Sequence, residues 1–213
     1  MPVHVLVEQI AKTSGAAGVA GLRAEGAQPH EVAGLDLDPV LVEAVDGFAF
    51  LPPVSDWTVH NEGRDAVRFH WIRKAYEAVD GIDAPEALFS SDQHVAPTPM
   101  PGTEGHWATT RFVDPADMRH DMHVTIVTLE PGAVIPFAET HVMEHGLYVL
   151  EGKAVYRLNQ DWVEVEAGDF MWLRAFCPQA CYAGGPGKFR YLLYKDVNRH
   201  AKLGGAGIGG RAR

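Results

Sequence analysis

The sequence predicts an all-β protein whose strands close into a barrel or a sandwich. Two observations support this prediction. Between residues 121 and 197, short segments rich in β-branched and aromatic residues recur at regular spacing, and glycine-rich turns separate them. In chain order, the predicted strands are MHVTIVTLEPG, GLYVLEG, KAVYRLN, WVEVEAGD, FMWLRAF, ACYAGG and FRYLLYKD.

The N-terminal part of the chain has a different composition. Residues 1–46 are rich in Ala and Gly without a sustained period, so we expect a poorly structured segment in which only HVLVEQI and DPVLVEAV could hold regular structure. The DPVLVEAV segment is a candidate helix, because it begins with an Asp-Pro pair that suits a helix start. Strand-like segments begin at Gly47. Residues 76–120 are predicted to be a long connection with short helix openings at DAPEAL and DPADM. Residues 201–213 are expected to form a flexible tail.

Composition and charge exclude several classes of function. The chain has 213 residues and a formal net charge of -10, so a nucleic acid backbone would be repelled. No apolar run approaches the roughly 20 residues that span a bilayer, and the N-terminus lacks the pattern of a signal peptide. We therefore expect a cytoplasmic protein without membrane partners. Cys177 and Cys181 are interpreted as reduced core residues.

The stretch ETHVMEH contains the strongest candidate for a metal site. Glu139 and His141 are two residues apart, so on a strand they would share a face, and His145 could point back toward them across a bend. Gln179, on the loop after FMWLRAF, is a plausible fourth ligand through its amide oxygen. Two imidazoles, a carboxylate and an amide oxygen suit Mn²⁺ or Fe²⁺ better than a structural zinc. The alternative is a strand edge that carries surface histidines.

The residues that flank this stretch point to a family. Pro131-Gly132 precedes it, Gly152 follows it, and Gly168-Asp169 opens a second motif that ends in Pro178-Gln179. This arrangement resembles the two motifs of the cupin superfamily, which implies a double-stranded β-helix, or jelly-roll barrel. The usual ligand order is His, His, Glu and a late His, whereas this chain has Glu139 first and Gln179 last.

The permuted ligand set closely resembles the (S)-ureidoglycine aminohydrolase family. The resemblance extends from about Trp107 to Arg199 and includes AETHVMEHGLYVLEGKAVYRLNQDWVEVEAGDFMWLRAFCPQACYA and RYLLYKDVNR. It implies an Mn²⁺ cofactor and a hydrolase that converts a small ureide, (S)-ureidoglycine, to (S)-ureidoglycolate and ammonia in allantoin and purine catabolism. It also implies four metal ligands, which are Glu139, His141, His145 and Gln179. Three further residues would line the substrate pocket, namely Tyr156, Tyr191 and Lys195.

The resemblance further implies a bicupin, in which two barrels share one chain and the C-terminal barrel holds the metal. We expect a partial N-terminal cupin and linker over residues 47–106 and the metal-binding cupin over residues 107–200. Residues 1–46 show no first motif for an N-terminal barrel, so that barrel is expected to be incomplete. By analogy, a homo-oligomer is expected.

The chemistry of the substrate gives these residues roles. We hypothesise that Glu139 is both a metal ligand and the acid/base that moves a proton to the departing amine or from water. Lys195 would supply positive charge for the carboxylate or the ureido oxygen. Other cupin enzymes, such as an Fe²⁺ dioxygenase or an isomerase, and a non-catalytic cupin remain alternatives.

Four further side chains are interpreted as structural. His120 and His123, in MRHDMHV, could suggest a second metal site with Asp121, but surface or structural roles are favoured. Trp162 and Trp172 are expected in the barrel core.

Overall fold

The fold is all-β in a computed structural model that describes the backbone of residues 4–10, 47–53 and 69–196, with side chains for the last two ranges. Every regular element in these ranges is a strand, and the fourteen strands form three sheets. The predicted all-β class is therefore confirmed. In the same ranges, no helix has the length and hydropathy that crossing a bilayer requires.

The first sheet is mixed and has the order β3-β1-β2-β4. Its central strand β1 is parallel to both β2 and β3, while β2 is antiparallel to β4. The bounds are His4–Ile10 for β1, Gly47–Leu51 for β2, Phe69–Ala75 for β3 and Leu88–Ser91 for β4. The HVLVEQI segment is thus a strand, as its composition allowed, whereas DPVLVEAV and the tail from residue 201 lie outside the described residues. The bicupin organisation stays a prediction.

The second sheet has six antiparallel strands in the order β12-β9-β14-β7-β6-β5. The bounds are Thr98–Pro99 for β5, Trp107–Arg111 for β6, Met122–Leu129 for β7, His145–Glu151 for β9, Phe170–Leu173 for β12 and Phe189–Asp196 for β14.

The third sheet has four antiparallel strands in the order β11-β10-β13-β8. They are Val134–Glu139 for β8, Lys153–Leu158 for β10, Asp161–Glu166 for β11 and Gln179–Tyr182 for β13. All seven segments that were predicted as strands are strands in these two sheets.

The inner faces of the second and third sheets enclose the main core. Leu129, Val149 and Phe189 of the second sheet are fully buried against side chains that include Tyr156 and Cys181 of the third. Alternation explains this burial, because every second residue of each strand points inward. The enclosed space between the two sheets is where the candidate site lies.

A second core joins the first sheet to the outer face of the six-stranded sheet. Phe48 and Phe50 of β2 pack with Ile126 and Leu192, and Phe48 stacks on Phe112 at 4.4 Å between ring centroids. The six-stranded sheet is therefore buried on both faces, which explains why β7 is buried along almost its whole length.

The predicted connection between residues 76 and 120 needs correction. It contains β4, β5 and β6, and neither DAPEAL nor DPADM forms a helix. The Asp114 carboxylate instead accepts a hydrogen bond from the amide of Ala116 at 2.8 Å, which closes a local turn. Neither opening is followed by a long amphipathic run, so nothing offsets the cost of helix nucleation.

The two tryptophans expected in the core are on the surface. Trp162 is 58% exposed and Trp172 is 56% exposed. Trp172 lies between the buried Met171 and Leu173, so strand alternation sends its ring outward. The guanidinium of Arg174 covers that ring at 5.3 Å from the centroid.

Candidate metal centre

A cavity of about 200 Å³ lies between the two antiparallel sheets. Its wall contains every residue that the sequence proposed for the metal and the substrate. These are Glu139, His141, His145, Tyr156, Gln179, Tyr191 and Lys195. The fold therefore brings together residues from β8, β9, β10, β13 and β14 that are up to 56 positions apart in the chain (195 − 139).

The two histidines lie side by side with their Nδ1 atoms held by one carbonyl. The ring centroids of His141 and His145 are 4.8 Å apart. The Met143 carbonyl oxygen lies 3.1 Å from Nδ1 of His141 and 3.3 Å from Nδ1 of His145. We assign the tautomer in which both Nδ1–H groups donate to that oxygen, which leaves both Nε2 lone pairs for a cation. Histidine ligands in metal sites are oriented in this way.

Gln179 completes the group from the neighbouring strand. It opens β13 rather than lying on the preceding loop, and it is opposite Glu139 in the pairing of β13 with β8. Its buried side chain places Oε1 3.1 Å from His145 Nε2, and the Tyr156 hydroxyl donates to the same oxygen at 3.0 Å. A carbonyl oxygen has two lone pairs, so one remains for a cation beside His145. The amide nitrogen lies 3.4 Å from His141 Nε2.

Glu139 stands at the open edge of this group. Its carboxylate is 3.8 Å from His141 Nε2, and its side chain is 37% exposed. Strand β8 ends at Glu139, so His141 belongs to the following loop and the two do not share a strand face as predicted. They meet because the chain turns back toward β9.

The donor set fits a divalent cation. In the described ranges, no three His, Cys, Asp or Glu side chains converge closely enough to hold a metal by themselves. The amide oxygen of Gln179 supplies the missing donor, at a distance from His145 close to the roughly 3 Å that separates neighbouring ligands of an ion bound at about 2.1 Å. Two imidazole nitrogens and two oxygens are suitable ligands for such an ion.

The surroundings of His141 favour the neutral form of its imidazole. Burial lowers the pKa of His141, the neighbouring His145 lowers it further, and Glu139 opposes both effects. A lowered pKa favours the neutral imidazole, which is the form that coordinates a metal.

Two tyrosines and a lysine form the wall next to the candidate metal ligands. Tyr156 and Tyr191 are both buried, with their rings edge to face at 6.2 Å, and burial raises the pKa of each hydroxyl. Both hydroxyls therefore stay protonated and can donate. Burial lowers the pKa of Lys195, Glu139 opposes this, and Arg111 adds to it. Lys195 and Tyr191 both line the cavity, as their spacing of four on one strand predicted.

Sequence reasoning missed the cavity wall formed by β6 and β7. Trp107, Thr109 and Arg111 of β6 and His123 of β7 all line the cavity. His123 is not on the surface, because its side chain is buried and lines the cavity, whereas a structural role for it stays a prediction. Strand periodicity was the available signal, since His123, Thr125 and Val127 share one face of a strand that was predicted.

His120 and Asp121 do not join His123 in a second metal site. The His120 ring packs edge-on against Phe50 at 4.6 Å, on the side of the first sheet. Asp121 is buried. Its backbone carbonyl accepts a hydrogen bond of 2.7 Å from Lys74 of β3, and its carboxylate accepts one of 2.6 Å from the amide of Glu77, just after that strand. His120 and Asp121 precede β7, which begins at Met122, whereas His123 lies within the strand and lines the cavity.

Comparison with known proteins agrees with the fold. Residues 125–194 match the cupin domain family. These residues form a cupin domain. A probable (S)-ureidoglycine aminohydrolase from Oryza sativa subsp. japonica is 34% identical over 73% of this chain and 48% of its own length. An (S)-ureidoglycine aminohydrolase from Arabidopsis thaliana is also 34% identical, over 73% of this chain and 50% of its own. The resemblance noted from the sequence is therefore confirmed.

One solved structure is much closer in sequence. A putative glyoxylate induced protein from Pseudomonas aeruginosa is 72% identical, with a TM-score of 0.70 over 75% of this chain and 59% of its own. The chain thus spans about half the length of the two plant relatives it matches. The cupin fold and these relatives together suggest a metal cofactor for the donor group described above.

Proposed function

We propose that this cupin chain carries the active site of a metal-dependent hydrolase that converts (S)-ureidoglycine and water to (S)-ureidoglycolate and ammonia. The observation that carries the proposal is the convergence of His141, His145, Gln179 and Glu139 beside Tyr156, Tyr191 and Lys195 in one small cavity. The named activity of the plant relatives supports the choice of substrate.

Mn²⁺ is the cation we propose for the site. Imidazole nitrogens combined with carboxylate and amide oxygens suit Mn²⁺ better than a thiolate-seeking metal. His141, His145, Gln179 and Glu139 would hold the ion. When bound, it supplies positive charge that polarises the groups of the substrate next to it.

The bond changes define what the protein must do. The bond between the central carbon and the amine breaks, and a bond from that carbon to the oxygen of water forms. One proton of the water ends on the amine, which leaves as ammonia. The net reaction therefore needs a group that can accept and then return one proton.

Glu139 is the residue we assign to this proton transfer. Its carboxylate lies at the open edge of the ligand group, close enough to serve the metal and accessible enough to meet water. Lys195 lines the same cavity and offers a positive charge to the anionic substrate. Tyr156 holds Gln179 in place by donating to its amide oxygen, and it does not need to ionise.

A kinetic and binding comparison tests the proposal. Enzymatically generated ureidoglycine is offered to the chain with Mn²⁺, and ammonia release is compared with the spontaneous background. We expect a rate far above background, formation of the (S)-product alone, and loss of both Mn²⁺ binding and turnover in His141→Ala. A rate equal to background in a chain that binds Mn²⁺ would refute the proposed substrate.

We also propose a cytoplasmic homo-oligomer, in line with the resemblance. The exposed Trp162 and Trp172, on the edge strands β11 and β12, support association through this region.

A further inference from the structure

The wall of the cavity opposite the third sheet carries positive charge that the metal ligands do not explain. Arg111 and Lys195 both line the cavity. Glu139 is the one acidic side chain that lines it, and no ion pair within the described residues joins either cation to a carboxylate. The chain as a whole has a formal net charge of -10. Two cations beside one carboxylate in one small cavity of so acidic a protein favour an anionic ligand.

The register of the sheet shows where these groups lie. Lys195 of β14 is paired with His145 of β9 on one side and with His123 of β7 on the other. Arg111 of β6 is paired with Thr125, the next inward residue of β7. Neighbouring strands are about 4.8 Å apart. His123 is therefore about two strand spacings from the metal ligand His145, with Lys195 between them.

His123 provides a second, independent observation. Its side chain is more than nine-tenths buried, it lines the cavity, and its Nε2 atom has no hydrogen-bond partner among the described residues. Burying a polar atom without a partner costs about 1–3 kcal/mol. A ligand that accepts a hydrogen bond from Nε2–H would remove this cost.

The other end of the cavity is neutral. Trp107 Nε1 and Thr109 Oγ1 are also buried without a partner among the described residues, but neither carries charge. The register places Thr109 opposite Val127, two inward positions along β7 from His123. An uncharged ureido group suits that end, whereas a charged group suits the end formed by Arg111, His123 and Lys195.

We infer that Arg111, His123 and Lys195 form an anion subsite that holds the carboxylate of the substrate away from the metal ligands. This inference rests on the proposed function, and it orients the substrate. The carboxylate pairs with Lys195 and Arg111 and accepts a hydrogen bond from His123, while the carbon that reacts faces Glu139. The carboxylate is then not a chelating group for the metal.

A pair of unreactive ligands tests the subsite. N-Carbamoylglycine keeps the carboxylate and the ureido group of the substrate but lacks the amine that leaves. N-Carbamoylglycinamide replaces the carboxylate by a neutral amide of the same shape. Their affinities for the full chain are measured by calorimetry, with and without Mn²⁺. Hydrogen bonds to charged groups predict a preference for the acid of about 10- to 100-fold in both conditions.

Variants assign that preference to residues. Arg111→Gln and His123→Phe are each expected to reduce the preference for the acid about 10-fold or more, and Arg111→Lys to retain most of it. Arg174→Gln is the matched control, because Arg174 lies over Trp172 and does not line the cavity. Bound Mn²⁺ is measured in parallel and is expected to be unchanged in these variants.

The outcomes separate this inference from the proposed function. A preference for the acid that depends on Arg111 supports the subsite even if ureidoglycine is not turned over. A preference that appears only with Mn²⁺ and does not respond to Arg111→Gln or His123→Phe overturns it, because the carboxylate then binds the metal. Equal affinity for the two ligands in the native chain also overturns it.

Discussion

Single atoms decide whether the cavity can hold a cation. The Met143 carbonyl oxygen fixes two imidazoles, and the Tyr156 hydroxyl fixes one amide, so three donor groups are oriented by hydrogen bonds from outside the ligand group. Supporting contacts of this kind usually matter almost as much as the ligands.

Removal of one supporting hydroxyl is expected to weaken the metal site without unfolding the protein. Tyr156→Phe keeps the buried ring but leaves the Gln179 amide free to rotate, so Mn²⁺ affinity should fall about 10- to 100-fold in a calorimetric titration. Tyr194→Phe is the control, since Tyr194 packs on the outer face with Phe170. Equal Mn²⁺ affinity in the two variants would show that Tyr156 does not position Gln179.

His123 should make the stability of the protein depend on pH. Burial, followed by the positive charge of Lys195, lowers its pKa from 6.5 to about 4. Between these two values the unfolded chain binds a proton that the folded chain does not, so the free energy of unfolding falls as the pH drops from 6.5 to 4.

Chemical denaturation of the metal-free protein at pH 7 and pH 5 measures this effect. His123→Gln should lose less stability on acidification than the native chain. The number of protons taken up on unfolding, which sets how steeply the free energy of unfolding changes with pH, should be smaller by up to about one. Parallel pH profiles for the two proteins would show that the burial of His123 does not control its ionisation.

At the scale of elements, glycines with a positive φ mark two of the turns between the predicted strands. Gly152 joins β9 to β10 with a φ of 80°, and a Cβ there would collide with the backbone carbonyl of Lys188. Gly168 joins β11 to β12 with a φ of 100°, but a Cβ there would meet no atom within 4 Å.

The two turns can therefore be separated experimentally. Gly168→Ala adds only the strain of a left-handed backbone, about 1–2 kcal/mol, whereas Gly152→Ala adds a backbone collision as well. Thermal or urea unfolding should show a clearly larger loss for Gly152→Ala, by about 1 kcal/mol or more. Equal losses would mean that the β9–β10 turn relaxes without cost.

Strands and ligands were predictable from the sequence to different degrees. The motif from Glu139 to His145 and the late Gln179 predicted four residues that meet in one cavity, because residues close in sequence have a readable spacing. The exposure of Trp162 and Trp172 was not predictable, because it depends on which face of each edge strand the rest of the chain covers. Arg111 was not singled out, and His123 was not placed at this cavity, for a related reason: their meeting depends on the pairing of β6 with β7.

At the scale of the whole molecule, the first sheet supports the barrel from outside. Phe48 and Phe50 cover the outer face of the six-stranded sheet whose inner face carries His145 and Lys195. Lys74 of β3 reinforces the contact, because its ammonium group lies 2.7 Å from Asp196 and 3.5 Å from Asp121. The cavity wall and the first sheet are thus expected to unfold together.

Loss of one aromatic ring in the first sheet should therefore destabilise the distant metal centre. Phe48→Ala removes a fully buried ring and is expected to cost about 3–5 kcal/mol. Phe89→Ala in the same sheet removes a ring that is 38% exposed and should cost much less. Thermal release of Mn²⁺, followed together with intrinsic fluorescence, should shift downward in Phe48→Ala. Unchanged Mn²⁺ release in that variant would show that the barrel is stable without this contact.

The central claim is that the cavity hydrolyses (S)-ureidoglycine and that Glu139 moves the proton. The most direct test is ammonia release by the native chain and by Glu139→Gln at equal Mn²⁺ occupancy. The glutamine keeps an oxygen ligand but cannot accept a proton, so we expect turnover to fall at least about 100-fold with Mn²⁺ still bound. Near-native turnover by metal-loaded Glu139→Gln would contradict the proton role, and release no faster than background by the native chain would contradict the account as a whole.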